Sequence, residues 1–213
     1  MSDSHLIDHI VIGARTRSEG QAAVEPLLGV DLPLGGEHPA MGTHNCVMQA
    51  GGQTYFELIA VNPEAAAPSR PRWFSLDDEV TMNRLAERPR ALCWVVSVPD
   101  LDQLVRNSPV PLGRITEMSR GTLNWRLTIT DDGMLPQSGL VPVFIEWPDG
   151  INPSHSQQDK NVRLETILLS TPQPDTLQQT LTALGCDHLA TITKGDPSLR
   201  FEMSTPRGRV ILD

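Results

Sequence analysis

The clearest pattern in the chain is a run of β-branched and aliphatic residues over 6–14, LIDHIVIGA, bounded by turn chemistry at 15–20. Period-two alternation predicts a strand in which Ile7, His9, Val11 and Gly13 share one face, with Asp8, Ile10 and Ile12 on the other. Apolar spacing over 18–28 predicts a helix, with Ser18 as its cap and Gly29 as its stop. After a Gly/Pro-rich stretch over 31–39, THNCVMQ (43–49) and TYFELIAV (54–61) read as strands joined by a hairpin at Gly51-Gly52. A linker over 62–72 and a helix over 75–85, barred from continuing by Pro89, lead to a strand at 91–98. A short helix at 100–105 and strands at 111–118, 122–130 and 141–147 complete a second β-α-β-β-β order. Residues 148–160 are polar and read as a second linker or exposed loop.

The third segment begins like the first, with a strand at 161–170, an amphipathic helix at 175–184 and a terminating Gly185. Laid on the first segment without a gap, His9 falls on Glu165 and Gly29 on Gly185. This register suggests a repeated unit, although two unrelated βα units would also look alike. The expected fold class is α+β, with βαβββ modules at 5–61, 90–147 and 161–213 forming curved, mostly antiparallel sheets around a cavity in one compact unit.

Composition narrows the function classes. A formal charge of −9 without a Lys/Arg cluster argues against nucleic acid as a partner. No apolar run spans a bilayer and no signal peptide is apparent, so a cytoplasmic protein without a membrane partner is expected. Cys46, Cys93 and Cys186 are odd in number and widely spaced, which suggests neither a disulfide framework nor a Cys-based zinc knuckle. Neither a phosphate-binding glycine loop at a strand-to-helix junction nor a G-x-S-x-G elbow occurs. The candidate chemistry is sparse. His9 stands alone among apolar neighbours, and Glu57 lies inside an apolar strand, where a carboxylate is costly unless paired or metal-bound.

The stretches IDHIVIGA, GGEHPAMGTHNCVM (35–48), YFELIA (55–60) and TPRGRVIL (205–212) resemble the vicinal-oxygen-chelate superfamily, and within it the glyoxalase-like domain proteins. In metal-dependent members of that group, two modules each give one ligand from the first strand and one from the fourth. The resemblance therefore implies His9 and Glu57 as metal ligands, for a Zn, Fe, Mn or Ni ion. It implies Glu146 as a third ligand or catalytic proton carrier, and His44, Asn45 and Cys93 as substrate-pocket residues. Cys93 stands where the metalloenzymes usually have histidine, and if the last segment completes the cavity instead, the positions become Glu165 and Leu212.

Two functions follow from the resemblance. One is a metal-dependent lyase, isomerase or dioxygenase acting on a small oxygen-rich molecule. The other is a metal-free protein that binds or sequesters a small molecule. The resemblance leaves open whether the sheet closes within one chain or in a homodimer.

Overall fold

The apolar alternation along the chain is realised as two sheets and four helices in a computed structural model that describes residues 5–148 and 150–213. Strand β1 (Leu6–Gly13) leads into α1 (Arg17–Leu28), followed by β2 (Leu34–His38), β3 (Thr43–Gln49) and β4 (Tyr55–Val61). Helix α2 (Glu79–Glu87) precedes β5 (Arg90–Ser97), α3 (Leu101–Asn107), β6 (Arg114–Arg120), β7 (Leu123–Ile129) and β8 (Val143–Glu146). The last segment contains β9 (Arg163–Thr171), α4 (Pro174–Ala183), β10 (Thr191–Lys194), β11 (Ser198–Thr205) and β12 (Gly208–Leu212).

Strands β1 to β8 form one sheet in the order β2-β3-β4-β1-β5-β8-β7-β6. Its halves repeat one topology: β1 runs parallel to β4 and β5 parallel to β8, and the halves join through the antiparallel pair β1–β5. Most other pairings are antiparallel, as the α+β reading expects. The sheet curls until its edge strands meet, because Arg120 of β6 lies over Gly36 of β2 and reaches His38.

The third segment keeps the linear order but not the pairing. Strand β9 pairs in parallel with β10, directly after its helix, and the four strands run β10-β9-β11-β12. The match of Gly29 to Gly185 survives as two left-handed glycines (φ 73° and 70°) that end or follow their helices. It reflects shared βα chemistry and not a shared sheet.

Opposite faces of the eight-stranded sheet carry two cores. Ile10, Phe56, Trp94 and Phe144 pack with α1 and with Ile167, Phe201 and Met203 of the second sheet. Val11, Ile59, Val95, Leu127 and Ile145 line the inside of the curl, where Trp73, Phe74, Leu76 and Leu85 cover them. Residues 73–85 thus roof the inner face. Phe74 and Ser75 both adopt left-handed backbone (φ 58° and 57°), which ends any helix through that point. The helix expected at 75–85 begins instead after Asp78, whose carboxylate caps Thr81 N–H at 2.8 Å. Likewise Thr16, not Ser18, caps α1. No helix among the described residues is long and apolar enough to cross a membrane.

Candidate functional site

The inner face holds a cavity lined by β1 to β4 and β6 to β8, together with Trp73, Phe74, Pro153 and Gln157. Its geometry starts from an irregularity in β1. Against β5, Ile7 pairs with Val96 and His9 with Val95, so Asp8 is the extra residue of a β-bulge. One extra residue inverts the alternation. Ile7 packs in the outer core, whereas Asp8 and His9 both serve the cavity side, contrary to the simple alternation expected for this strand.

The Asp8 carboxylate is buried and fully engaged. Oδ1 lies 2.6 Å from His9 Nδ1, and Oδ2 accepts from Trp147 Nε1 and Asn152 Nδ2, each at 2.8 Å. An ionised carboxylate only accepts, so His9 carries its proton on Nδ1 and presents an Nε2 lone pair to the cavity when neutral. Tyr55 stacks on the imidazole with ring centroids 4.4 Å apart. Burial, then the charges of Asp8 and Glu57, push the Tyr55 phenol well above its usual range, so it stays neutral.

Glu57 reaches the same point from β4. Its Oε2 is 3.6 Å from His9 Nε2, and its Oε1 accepts from Asn45 Nδ2. Asn45 is held in turn by Gly36 N–H, which donates to its Oδ1 at 2.8 Å. This network needs a glycine beneath it, since a Cβ on Gly35 would stand 2.1 Å from Asn45 Oδ1.

A second polar group sits where the edge strands meet. Arg120 donates to His38 Nε2 at 3.2 Å, so the His38 proton is on Nδ1, facing Thr43 Oγ1 at 3.1 Å. Burial, then the Arg120 charge, lowers the His38 pKa to about 3, and the ring is neutral near pH 7. Trp73 meets His38 edge-on at 5.0 Å, and Trp125 lies 5.7 Å from Trp147. The cavity therefore has two polar groups, Asp8–His9–Glu57 and His38–Arg120, within walls of indole and aliphatic carbon.

Of the residues expected at the site, His9, Glu57 and Asn45 come together. The others lie elsewhere. His44 follows the opposite parity to Asn45 on β3, pairs with Glu37 and Ala60, and is absent from the cavity lining. Glu146 also faces away. It accepts from Leu101 N–H at 3.2 Å and from Arg126 at 3.1 Å, tying α3 to β8. The motifs YFELIA and VFIEW differ by one residue: Glu57 follows Phe56 directly, but Ile145 follows Phe144 and takes the inward position. Cys93 points inward but is fully buried in the core beside Val11, and burial pushes its thiol well above the usual range. The middle segment completes the cavity. Glu165 is exposed on the second sheet and Leu212 belongs to the outer core.

The donor set decides how well a divalent ion suits this cavity. His9 Nε2 and Glu57 Oε2 converge at 3.6 Å, near the roughly 3.4 Å expected between two ligands of one tetrahedral ion. No group of three or more His, Cys, Asp or Glu side chains suited to a metal occurs among the described residues. The Cys93 thiol is held neutral, Ile145 fills the fourth-strand position, and Arg120 puts positive charge on the same cavity. These residues do not fit a resident ion with three or four protein ligands.

Asp8 and Arg120 were not anticipated from the sequence. Asp8 could be found only through the bulge. Arg120 could be found only from the closure of the curl, which no local pattern encodes.

Comparison with known proteins accords with this architecture. No curated protein matches the chain. A hypothetical protein from Staphylococcus aureus superposes over 97% of this chain and 84% of its own, with TM-score 0.60 and 14% identity, which shows a shared fold. Methylmalonyl-CoA epimerase from Mycobacterium tuberculosis is 20% identical, covering 69% of this chain and 91% of its own at TM-score 0.45. A mutant 4-hydroxymandelate synthase from Streptomyces coelicolor is 12% identical, covering 99% and 63% at TM-score 0.48. The Glyoxalase-like domain family matches residues 7–185, and the chain belongs to that family.

Proposed function

We propose that this protein is a small-molecule enzyme of the isomerase or lyase type that moves a proton on a carbonyl-containing substrate. The observation that carries this reading is the buried array at the cavity wall. His9 has a carboxylate 2.6 Å from Nδ1 and a second carboxylate 3.6 Å from Nε2. Asp8 fixes the tautomer and offsets the charge that His9 gains on protonation, so Nε2 is prepared as a base. His9 Nε2 takes a proton from the carbon beside the carbonyl, and the C–H electron pair passes into the enolate. Glu57 stabilises the resulting imidazolium, and the proton returns to the same carbon, or, where that carbon bears a hydroxyl whose proton passes to the carbonyl oxygen, to the former carbonyl carbon. The aromatic walls exclude water while the enolate exists.

A second reading, a metal-dependent lyase or dioxygenase, is favoured by the convergence of His9 Nε2 and Glu57 Oε2 on one point. One experiment separates the two. Chelator-treated, desalted protein is incubated in D2O with a panel of small 2-oxo acids, 2-hydroxy acids and aldehydes, and loss of C–H signal is followed by NMR. Exchange of at least one compound above the buffer rate is expected without metal, with His9→Gln and Glu57→Gln about 10²–10⁴-fold slower. Exchange that appears only after Zn, Mn, Fe or Ni is added would replace this reading with the metalloenzyme. Calorimetric binding without exchange under any condition would replace it with a binding protein.

A further inference from the structure

We infer that the His38–Arg120 part of the cavity is a carboxylate-binding subsite, so that the molecule presented to His9 is a short monocarboxylate whose otherwise apolar chain carries the reacting carbonyl. This deepens the proton-transfer reading and rests on the same cavity, but it concerns recognition alone.

Three observations converge. Arg120 is half-buried at the cavity wall, and its hydrogen-bond partner there is the neutral ring of His38. Among the described residues no Asp or Glu lies within ion-pair distance of it. A guanidinium offers five donors in a planar fork that matches a carboxylate, so most of its capacity is unused. The fold also makes room for it: a Cβ on Gly36 would stand 2.8 Å from the Arg120 side chain, so this glycine lets the arginine lie across β2. Finally, Trp73 is 4% exposed, lines the cavity, and has an indole N–H without an acceptor among the described residues. A buried indole N–H normally finds a partner, and a ligand oxygen would supply one.

Size sets the rest. The space open to a water-sized molecule is only about 40 Å³, and its apolar lining includes Trp125, Trp147, Leu127 and Ile145. An occupant of a few carbons is larger than this enclosed part, so it would extend from Arg120 into the open mouth of the pocket, and the narrow interior excludes bulkier molecules. Binding it by the head at Arg120 leaves its chain directed along the apolar walls. The acidic group, Asp8 and Glu57, repels a second carboxylate and so gives the cavity a polarity.

The test measures binding to the 213-residue chain by NMR and indole fluorescence, with butyrate and its neutral isostere butyramide as probes and inorganic phosphate as a third ligand. Butyrate should bind at least 10-fold more tightly than butyramide, the range for a hydrogen-bonded charge pair. Arg120→Gln should abolish that preference, Arg120→Lys should restore part of it, and His9→Gln should leave it intact. Equal affinity for butyrate and butyramide, or an unchanged preference in Arg120→Gln, overturns the subsite. So does phosphate binding as tightly as butyrate, because the site would then be a general anion site. If Arg120→Gln fails to fold, the wild-type preference over butyramide and over phosphate decides. Failure of proton exchange with butyrate selectivity intact would remove the catalytic reading and leave this one standing.

Discussion

His38 shows how one residue's surroundings set a property of the protein. Its pKa is lowered from 6.5 to about 3, chiefly by burial and then by Arg120. Above pH 6.5 the ring is neutral in both folded and unfolded chains, and no stability is lost. As pH falls from 6.5 towards 3, the unfolded chain takes up a proton that the folded chain refuses, so stability declines across that window and levels off below it. Urea melts of wild type and His38→Gln between pH 7 and pH 4 should show a shallower decline in the variant. Parallel curves would refute the assignment. Asp8→Asn should lower exchange activity by roughly 10²-fold or more while leaving butyrate binding in place, because it removes the acceptor that sets the His9 tautomer. Comparable loss of both would mean that Asp8 serves only packing. Residue by residue, legibility followed the two-residue period. His9, Glu57 and Asn45 obey it, and their side chains meet. Asp8 breaks it through a bulge, and Glu146 is one position out of step with Glu57.

At the scale of elements, the informative piece is β2, which falls within the Gly/Pro-rich stretch over 31–39. It is an edge strand with a register shift between Leu34 and Glu37, and its two glycines serve the two polar groups of the cavity. Gly35 leaves space for Asn45, and Gly36 leaves space for Arg120. Neither needs a left-handed backbone; each is required by the close approach of a side chain. Gly35→Ala would force its Cβ against Asn45 Oδ1 and so dislodge the donor to Glu57. The expected cost is about 1–3 kcal/mol of stability, with exchange activity lost out of proportion to the fraction unfolded at assay temperature. A thermal melt beside the exchange assay checks this, and an alanine variant with wild-type activity would remove the role given to Asn45. Hairpin strands such as β3 and β4 were legible because Gly51-Gly52 and the apolar alternation agree. Helix α2 was displaced because two successive left-handed residues, Phe74 and Ser75, carry no glycine signal.

The whole molecule owes its shape to a division of labour between the sheets. The two halves of the large sheet share a topology and enclose the cavity, whereas the third segment, similar in its strand and helix order, folds differently and covers the outer face. Order along the chain was readable from hydrophobic period. Pairing was not, since β9 has a choice between β10 and β12 that only tertiary packing resolves. The second sheet is joined to the first by a continuous apolar core in which Phe201 meets the layer of Trp94 and Phe144. Charged and backbone links add to it, among them Arg88 with Asp213, Lys160 with Asp31, and Leu164 N–H to Ala50 C=O at 2.8 Å. These surface ion pairs contribute little singly, so the shared core is what couples the sheets. Phe201→Ala should therefore destabilise the entire chain by about 3–5 kcal/mol, in one transition seen alike by far-ultraviolet dichroism and by cavity tryptophan fluorescence. At low urea the folded variant should still bind butyrate as wild type does, because Phe201 lies on the far side of the sheet from His9 and Arg120. Two separated transitions, with the fluorescence change at the wild-type midpoint, would show that the cavity sheet stands without its cover and that the core is two cores.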